Sequence, residues 1–250
     1  MLVYDDTYAS TRKVLRKGGG MDFTIIPQIL PSFLQGILNT IIYCAVSFPL
    51  ALLLGLLLAL MSSSRFMWLR GPARIYIEGI RSTPFIAQIY LVYFGLSTIL
   101  FNIGNHFGNA TLATGVNGWT AGIAVLAVNY SAYEAEVFRA GFLSVERGQT
   151  EAALSLGLDA GQNFFRIVLP QAVPLMIPPF VNDLIYMLKD SAIVSVIAGF
   201  ELTSAFDTAR HSLASDTLLL SLLVMLLYLA LSLPTSYFAR WYERKLRAAL

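Results

Sequence analysis

A chain of 250 residues that is 56% hydrophobic and 13% charged, with a mean hydropathy of +0.66, departs from soluble domains, in which roughly a quarter of residues are charged. Its single cysteine, Cys44, excludes an intrachain disulfide and a cysteine-built metal cluster.

Residues 1–20 hold Arg12, Lys13, Arg16 and Lys17 and end in the run Gly18 to Gly20, ahead of Met21. They read as a flexible extension or a mis-assigned start, so residues 1–21 are set apart from a single membrane domain over 22–250. The first long apolar stretch is too long for a signal peptide and lacks a small-residue cleavage site. Pro27 and Pro31 alternate with apolar residues over 22–34, which predicts a short interfacial segment feeding the first span. Charge is absent from Phe23 to Ser64, from Ser82 to Tyr133 and from Thr217 to Ala239. Each gap holds about 20 apolar residues, the helical length that crosses a hydrocarbon core of about 30 Å. The pattern predicts five spanning helices, at roughly 35–61, 77–100, 119–138, 174–198 and 217–238. Spanning strands would be about half as long and would alternate in polarity, so the expected fold is an all-α membrane bundle.

Within the first span, Pro49 predicts a kink. Pro84 has no N–H and restricts Thr83, so the second span is expected to start or break there, and Glu78 and Arg81, three apart, are placed to pair at its edge. The uncharged stretch NIGNHFGNATLATGVNGW reads as an outer loop in which His106 is solvated surface. Arg65, Arg70 and Arg74 follow the first span, Arg139, Arg147 and Arg166 the third, and Arg240, Arg244, Lys245 and Arg247 the fifth. The alternate loops carry Arg210 alone. This bias places the segment after the third span and the C-terminus in the cytoplasm, and the N-terminus outside.

That cytoplasmic segment, about 144–170, is polar and sharply patterned: EAALSLGLDAGQNFFRIVLP over residues 151–170. The pattern predicts a helix from Val145 to Leu156 stopped by Gly157, then a second helix capped by Asp159 with Gln162 as its capping-box partner, and a close at Pro170. Such a stiff helix-turn-helix suits docking on a soluble partner.

The spacing of Glu151, Ala152, Ala153, Gly157, Ile167, Leu169 and Pro170 resembles the EAA loop of ABC-importer permeases. The segment RSTPFIAQIYLVYFGL resembles the R-G-T-P-x-x-x-Q segment of polar amino acid permeases of the histidine, arginine and glutamine type, with Ser82 where glycine is usual. VNYSAYEAEVFRAGFLSV and LIYMLKDSAIVSVI are similar to two further segments of that family. The resemblance implies five spans with the N-terminus outside and coupling helices seated on a separate ATPase, with ATP and Mg held there and no cofactor in this chain. It also implies a second permease subunit, identical or paralogous, and a solute-binding protein that delivers cargo from outside. This would make the chain a transport subunit of a bacterial cytoplasmic membrane, not an enzyme, with no nucleic-acid partner. Cystine, an opine or another amino-acid derivative remains an alternative cargo.

Ionisable groups within spans are functional candidates. Asn129, Tyr133 and Glu136 share one helical face, Tyr130 and Glu134 another, while Asn182, Lys189 and Asp190 stand near the end of the fourth span with Asp183 and Tyr186. Carboxylates there suit a cationic group of a solute, and Lys189 a carboxylate. The competing assignment for each is packing or gating. An intramembrane protease lacks a nucleophile and base at depth, since His106 and His211 fall in or beside outer loops. A stand-alone channel or carrier would leave the helix-turn-helix without purpose. The chain has no G-x-x-x-x-G-K-[ST] loop.

Overall fold

The computed structural model describes residues 23–197, 199–212 and 217–247; the extension over 1–21 lies outside the described residues. Among the described residues the regular structure is helical throughout. The longer helices are α1 (Ile26–Ser62), α2 (Met67–Arg81), α3 (Phe85–His106), α4 (Gly118–Ser144), α5 (Arg147–Ser155), α6 (Ala160–Ile197), α7 (Leu202–Ser212) and α8 (Thr217–Arg247), with single turns at Phe23–Ile25 and, within the stretch expected to be an outer loop, at Ala110–Ala113.

α1 has 37 residues, a length of about 55 Å, well beyond a hydrocarbon core. The separate interfacial segment expected over 22–34 is instead its first turns. Pro27 stands where a missing N–H costs no helical bond. Ile29 and Phe33 are buried one turn apart in a cluster with Leu202, Ala205 and Leu220, and this packing carries the helix through Pro31. The helix also runs unbroken through Pro49.

The second expected span divides in two. α2 is amphipathic, with Ala73 and Ile77 buried and Trp68 and Ile75 exposed. It ends at Arg81, and Pro84, extended at φ −61° and ψ 135°, starts α3. α3 widens into a π-type turn at Leu91–Leu96. Gln88 bridges the break: its Nε2 donates to the Ile80 carbonyl at 2.8 Å and to Thr83 Oγ1 at 2.9 Å, and its Oε1 accepts from Asn129 Nδ2 at 2.8 Å. The amide thereby serves acceptors that the end of α2 leaves open. Glu78 and Arg81 do not pair. Among the described residues the ion pairs are Glu136–Arg139 and Asp207–Arg210, and the Arg81 guanidinium lies 5.5 Å from the centre of the Tyr133 ring, a cation–π contact with α4 that draws it away from Glu78.

Four helices, Phe23–Ser62, Phe85–His106, Ala160–Ile197 and Thr217–Leu246, are long and apolar enough to cross a membrane. The remaining expected span, α4, has 27 residues and is more polar. Most positions from Ala121 to Ala135 are buried, with Ala124 and Tyr133 exposed, so most of its surface is covered by protein and it has no broad lipid-facing stripe. α1 forms its most extensive contact. Gly55 makes that contact possible: a Cβ there would lie 2.7 Å from Glu134 Cβ and 3.1 Å from the Ala135 nitrogen.

α6 is continuous through Pro170, which was expected to close the helical unit. A π-type turn at Phe164–Val168 resets the hydrogen-bond register just ahead of the proline, leaving it in the first turn of the α-helical run Leu169–Asp190. The helix then tightens to 3-10 geometry over Ser191–Ile197. α7 occupies a stretch expected to be loop. Leu202, Ala205 and Ala209 bury one face against α1 and α8.

Two substitutions test these contacts. Gly55→Leu is expected to separate α1 from α4 and to leave the protein aggregated on size-exclusion chromatography in detergent, whereas Gly55→Ala should cost about 1–3 kcal/mol. Gln88→Leu strands buried amide and carbonyl groups at about 1–3 kcal/mol, which lowers the thermal midpoint by about 2–4 °C per kcal/mol in a chain of this size. Midpoints equal to the parent would contradict both contacts.

Candidate functional site

The helix-turn-helix begins where α4 ends. Val145, extended at φ −74° and ψ 128°, turns the chain into α5. Gly157 then reverses it at φ +85°, a left-handed conformation that costs a residue with a Cβ roughly 1–2 kcal/mol. The reversal lets the Gly157 N–H donate to Leu154 and the Leu158 N–H to Ala153. Asp159 and Gln162 form the capping box in both directions, at 2.8 and 3.3 Å. Ala153 and Asn163 are buried at the junction of the two helices, where Asn163 Nδ2 donates to Thr150 Oγ1 at 3.5 Å.

The outer surface of this unit is open. Glu151, Ala152, Gly157 and Pro170 are exposed, Ile167 and Leu169 half-buried, and Leu154, Leu156 and Phe165 present large apolar side chains. Behind it, two rings of α4 are flanked by two of α6: Phe180 meets Phe138 at 4.9 Å, Phe138 meets Phe142 at 6.1 Å, and Phe142 meets Phe164 at 5.2 Å. Each tilted or edge contact adds about 0.5–1.5 kcal/mol beyond burial. The stack fastens the unit to the bundle.

Three cavities lie in succession, each sharing lining residues with the next, and the second is mainly apolar with charged side chains on its wall. The first, about 190 Å³, is lined by Thr83, Phe85, Asn129, Tyr130, Tyr133, Asp183, Tyr186 and Asp190. A second, about 510 Å³, shares Tyr133 and Asp183 with it and adds Arg81, Glu136 and the ends of α4 and α6. The third, about 330 Å³, shares Arg81 and Glu136 with the second and adds Ser62, Arg74, Glu78 and Arg139.

Of the residues singled out within the spans, Asn129, Tyr133, Glu136 and Asp190 come together in this string. Asn129 is buried and its amide is already engaged by Gln88. Asp190 accepts from Tyr130 OH at 2.8 Å. Glu136 is held by Arg139 through Nη2 at 2.6 Å and Nε at 3.1 Å. Glu134 lies apart: it is fully buried against α1 at Gly55 and lines none of the three cavities, and neither carboxyl oxygen has a hydrogen-bond partner among the described residues. Tyr130, grouped with it by sequence, reaches the cavity instead. Asn182 and Lys189 are exposed and also stand outside the cavities, with Lys189 Nζ 5.5 Å from the Tyr186 ring centre.

Glu201 went unmarked in the sequence. It is fully buried and caps α7, accepting from the Thr203 and Ser204 nitrogens at 2.8 and 2.9 Å and from Tyr228 OH at 2.7 Å. Its isolation between apolar stretches was the available signal, the same one that marked Glu134. Gln88 carries no charge and stood in the sequence only as the last position of the R-G-T-P-x-x-x-Q resemblance.

Comparison with known proteins places these features together. The family described as "Binding-protein-dependent transport system inner membrane component" matches residues 51–248, a range that includes the helix-turn-helix and all three cavities. The octopine transport system permease protein of Rhizobium radiobacter is 40% identical over 70% of each chain. The arginine transport system permease protein of Bacillus subtilis is 34% identical over 91% of this chain and 98% of its own. A crystal structure of an amino acid ABC transporter with histidines superposes with a TM-score of 0.79 at 34% identity, covering 90% of this chain and 99% of that one. The chain therefore belongs to the family of binding-protein-dependent transport system inner membrane components.

Proposed function

We propose that this chain is the membrane-spanning permease subunit of an ATP-driven importer for a polar amino acid or amino-acid derivative. The observation that carries the proposal is an exposed, internally fastened helix-turn-helix beside a string of cavities that carry charged side chains. Hydrolysis belongs to separate ATPase subunits that hold ATP and Mg; a solute-binding protein supplies cargo from outside. The relatives named for octopine and arginine support a cargo with amino and carboxylate groups. Residues 22–250 act as one permease domain in a bacterial cytoplasmic membrane, N-terminus outside and C-terminus inside, as the clustering of Arg74, Arg81 and Arg139 around one cavity supports.

Coupling follows from the geometry. Glu151, Ala152 and Gly157 meet the ATPase with Leu154 and Leu156, while Ala153, Ile167, Leu169 and Pro170 keep the unit rigid. Closure of the ATPases displaces α5, and the aromatic stack passes that displacement to α4 and α6 together. Asn129, Tyr133, Asp183 and Asp190 face the solute. Asn182, Tyr186 and Lys189 follow each other at helical spacing as an exposed stripe of α6, which a second permease subunit, identical or paralogous, covers. Glu134 acts in packing at the α1–α4 contact.

Vesicles containing the permease, its ATPase subunits and its binding protein provide the test, with uptake of a radiolabelled amino acid panel as the readout. Glu151→Lys and Gly157→Pro are expected to reduce ATP-dependent uptake to background while membrane insertion stays at the parental level. Parental uptake by both variants would remove the coupling role, and equal uptake without ATPase subunits would make the protein a channel or carrier.

A further inference from the structure

Arg81 is the one basic residue on the wall of the middle cavity, where it faces Glu136 and Asp183 as the acidic members. Charge is ordered along the passage. The inner cavity has Asp183 and Asp190 and no base; the third cavity has Arg74, Arg81 and Arg139 against Glu78 and Glu136. Glu136 is already engaged by two guanidinium nitrogens of Arg139. Arg81 makes no ion pair among the described residues.

Its guanidinium carbon lies 5.5 Å from the centre of the Tyr133 ring, and with no ion pair among the described residues its paired N–H groups stay available as donors. The side chain is mounted on the last residue of α2, an end held by the Gln88 amide bonded to the Ile80 carbonyl and Thr83 hydroxyl. A guanidinium so placed, on the lining of two neighbouring cavities, suits a carboxylate, because its paired N–H groups match the two oxygens of one carboxylate.

We propose that Arg81 binds the α-carboxylate of the transported solute in the middle cavity while Asp183, carried by α6 across that cavity, receives its ammonium group. The proposal rests on the amino acid import set out above and deepens it: the passage accepts molecules that carry both groups and discriminates against carboxamides and decarboxylated amines. Arg81 is then a specificity residue, and Tyr133 positions it.

The test is equilibrium binding to the permease–ATPase complex in lipid nanodiscs without the binding protein, so that the permease alone is read. Radiolabelled L-arginine, L-histidine and L-glutamine are the probes, each compared with its α-carboxamide. The parent is expected to prefer the acid of at least one pair by about tenfold or more. Arg81→Gln should bring that ratio close to one with an unfolding midpoint near the parental value; Arg81→Lys should keep part of it, and Arg74→Gln, which borders only the outer cavity, all of it. A parental ratio in Arg81→Gln, or a parent that binds none of the three acids or binds acid and amide alike, overturns the proposal. Import itself stands or falls on the vesicle uptake, which a failure of this binding experiment leaves untouched.

Discussion

Gly55 lets α1 and α4 approach until a Cβ on one would meet Glu134 Cβ on the other at 2.7 Å, and this closeness governs what α4 is able to carry. In lipid a polar group without an internal partner is costly, so a spanning helix normally shows apolar side chains outward. α4 is enclosed, with α1 on one side and α2, α3 and α6 on others. Enclosure also supplies partners for its backbone: Ser47 Oγ donates to the Ile123 carbonyl at 3.2 Å and Tyr76 OH to the Val128 carbonyl at 2.9 Å. A helix held in this way can contribute Asn129, Tyr130, Tyr133 and Glu136 to one passage without presenting them to lipid.

The same helix leads into the helix-turn-helix. α4 enters it and α6 leaves it, so α5 is tied covalently to both walls of the middle cavity. Rigidity at each joint comes from a different source. Gly157 supplies the reversal, Asp159 and Gln162 close the start of α6, and the Phe180–Phe138–Phe142–Phe164 contacts brace the two long helices against each other. The π-type turn at Phe164–Val168 lies between the cap and the proline. It lets one continuous helix hold both the docking surface and the cavity wall.

Local chemistry was legible in the sequence, and long-range packing was not. Gly157, Asp159 and Gln162 act through neighbours within three residues, and their turn and cap formed as expected. The run of small and polar residues in α4 still read as a span because its length was right. The stop assigned to Pro170 failed because a proline ends a helix only when its missing N–H falls opposite a helical acceptor, and the preceding turn had changed the register. α7 escaped notice because its buried face is short and its packing partners, Ile29, Phe33 and Leu220, are far away in the chain. Glu78 and Arg81 had the correct separation, but a ring on another helix took the guanidinium. Glu134 and Glu136 differ by two positions and point into unlike environments, a distinction set by the arrangement of α1 and α2 around α4.

Gln88 joins these strands of the structure. Pro84 forces a break between α2 and α3, and a break inside a bundle leaves carbonyls that need donors. One side-chain amide meets them and, through its oxygen, holds Asn129 of α4. The end of α2 that carries Arg81 is therefore referenced to α4, the helix that carries Tyr133 and Glu136, and not to lipid or to the loop alone. A displacement of α4 would move the ring near Arg81 and the amide that fixes its helix end in the same step. The opposite wall, with Asp183, travels on α6. Relative motion of two helices that share one cytoplasmic joint thus changes the separation of the cationic and anionic walls, so the mechanical input and the chemical character of the passage are set by the same contacts.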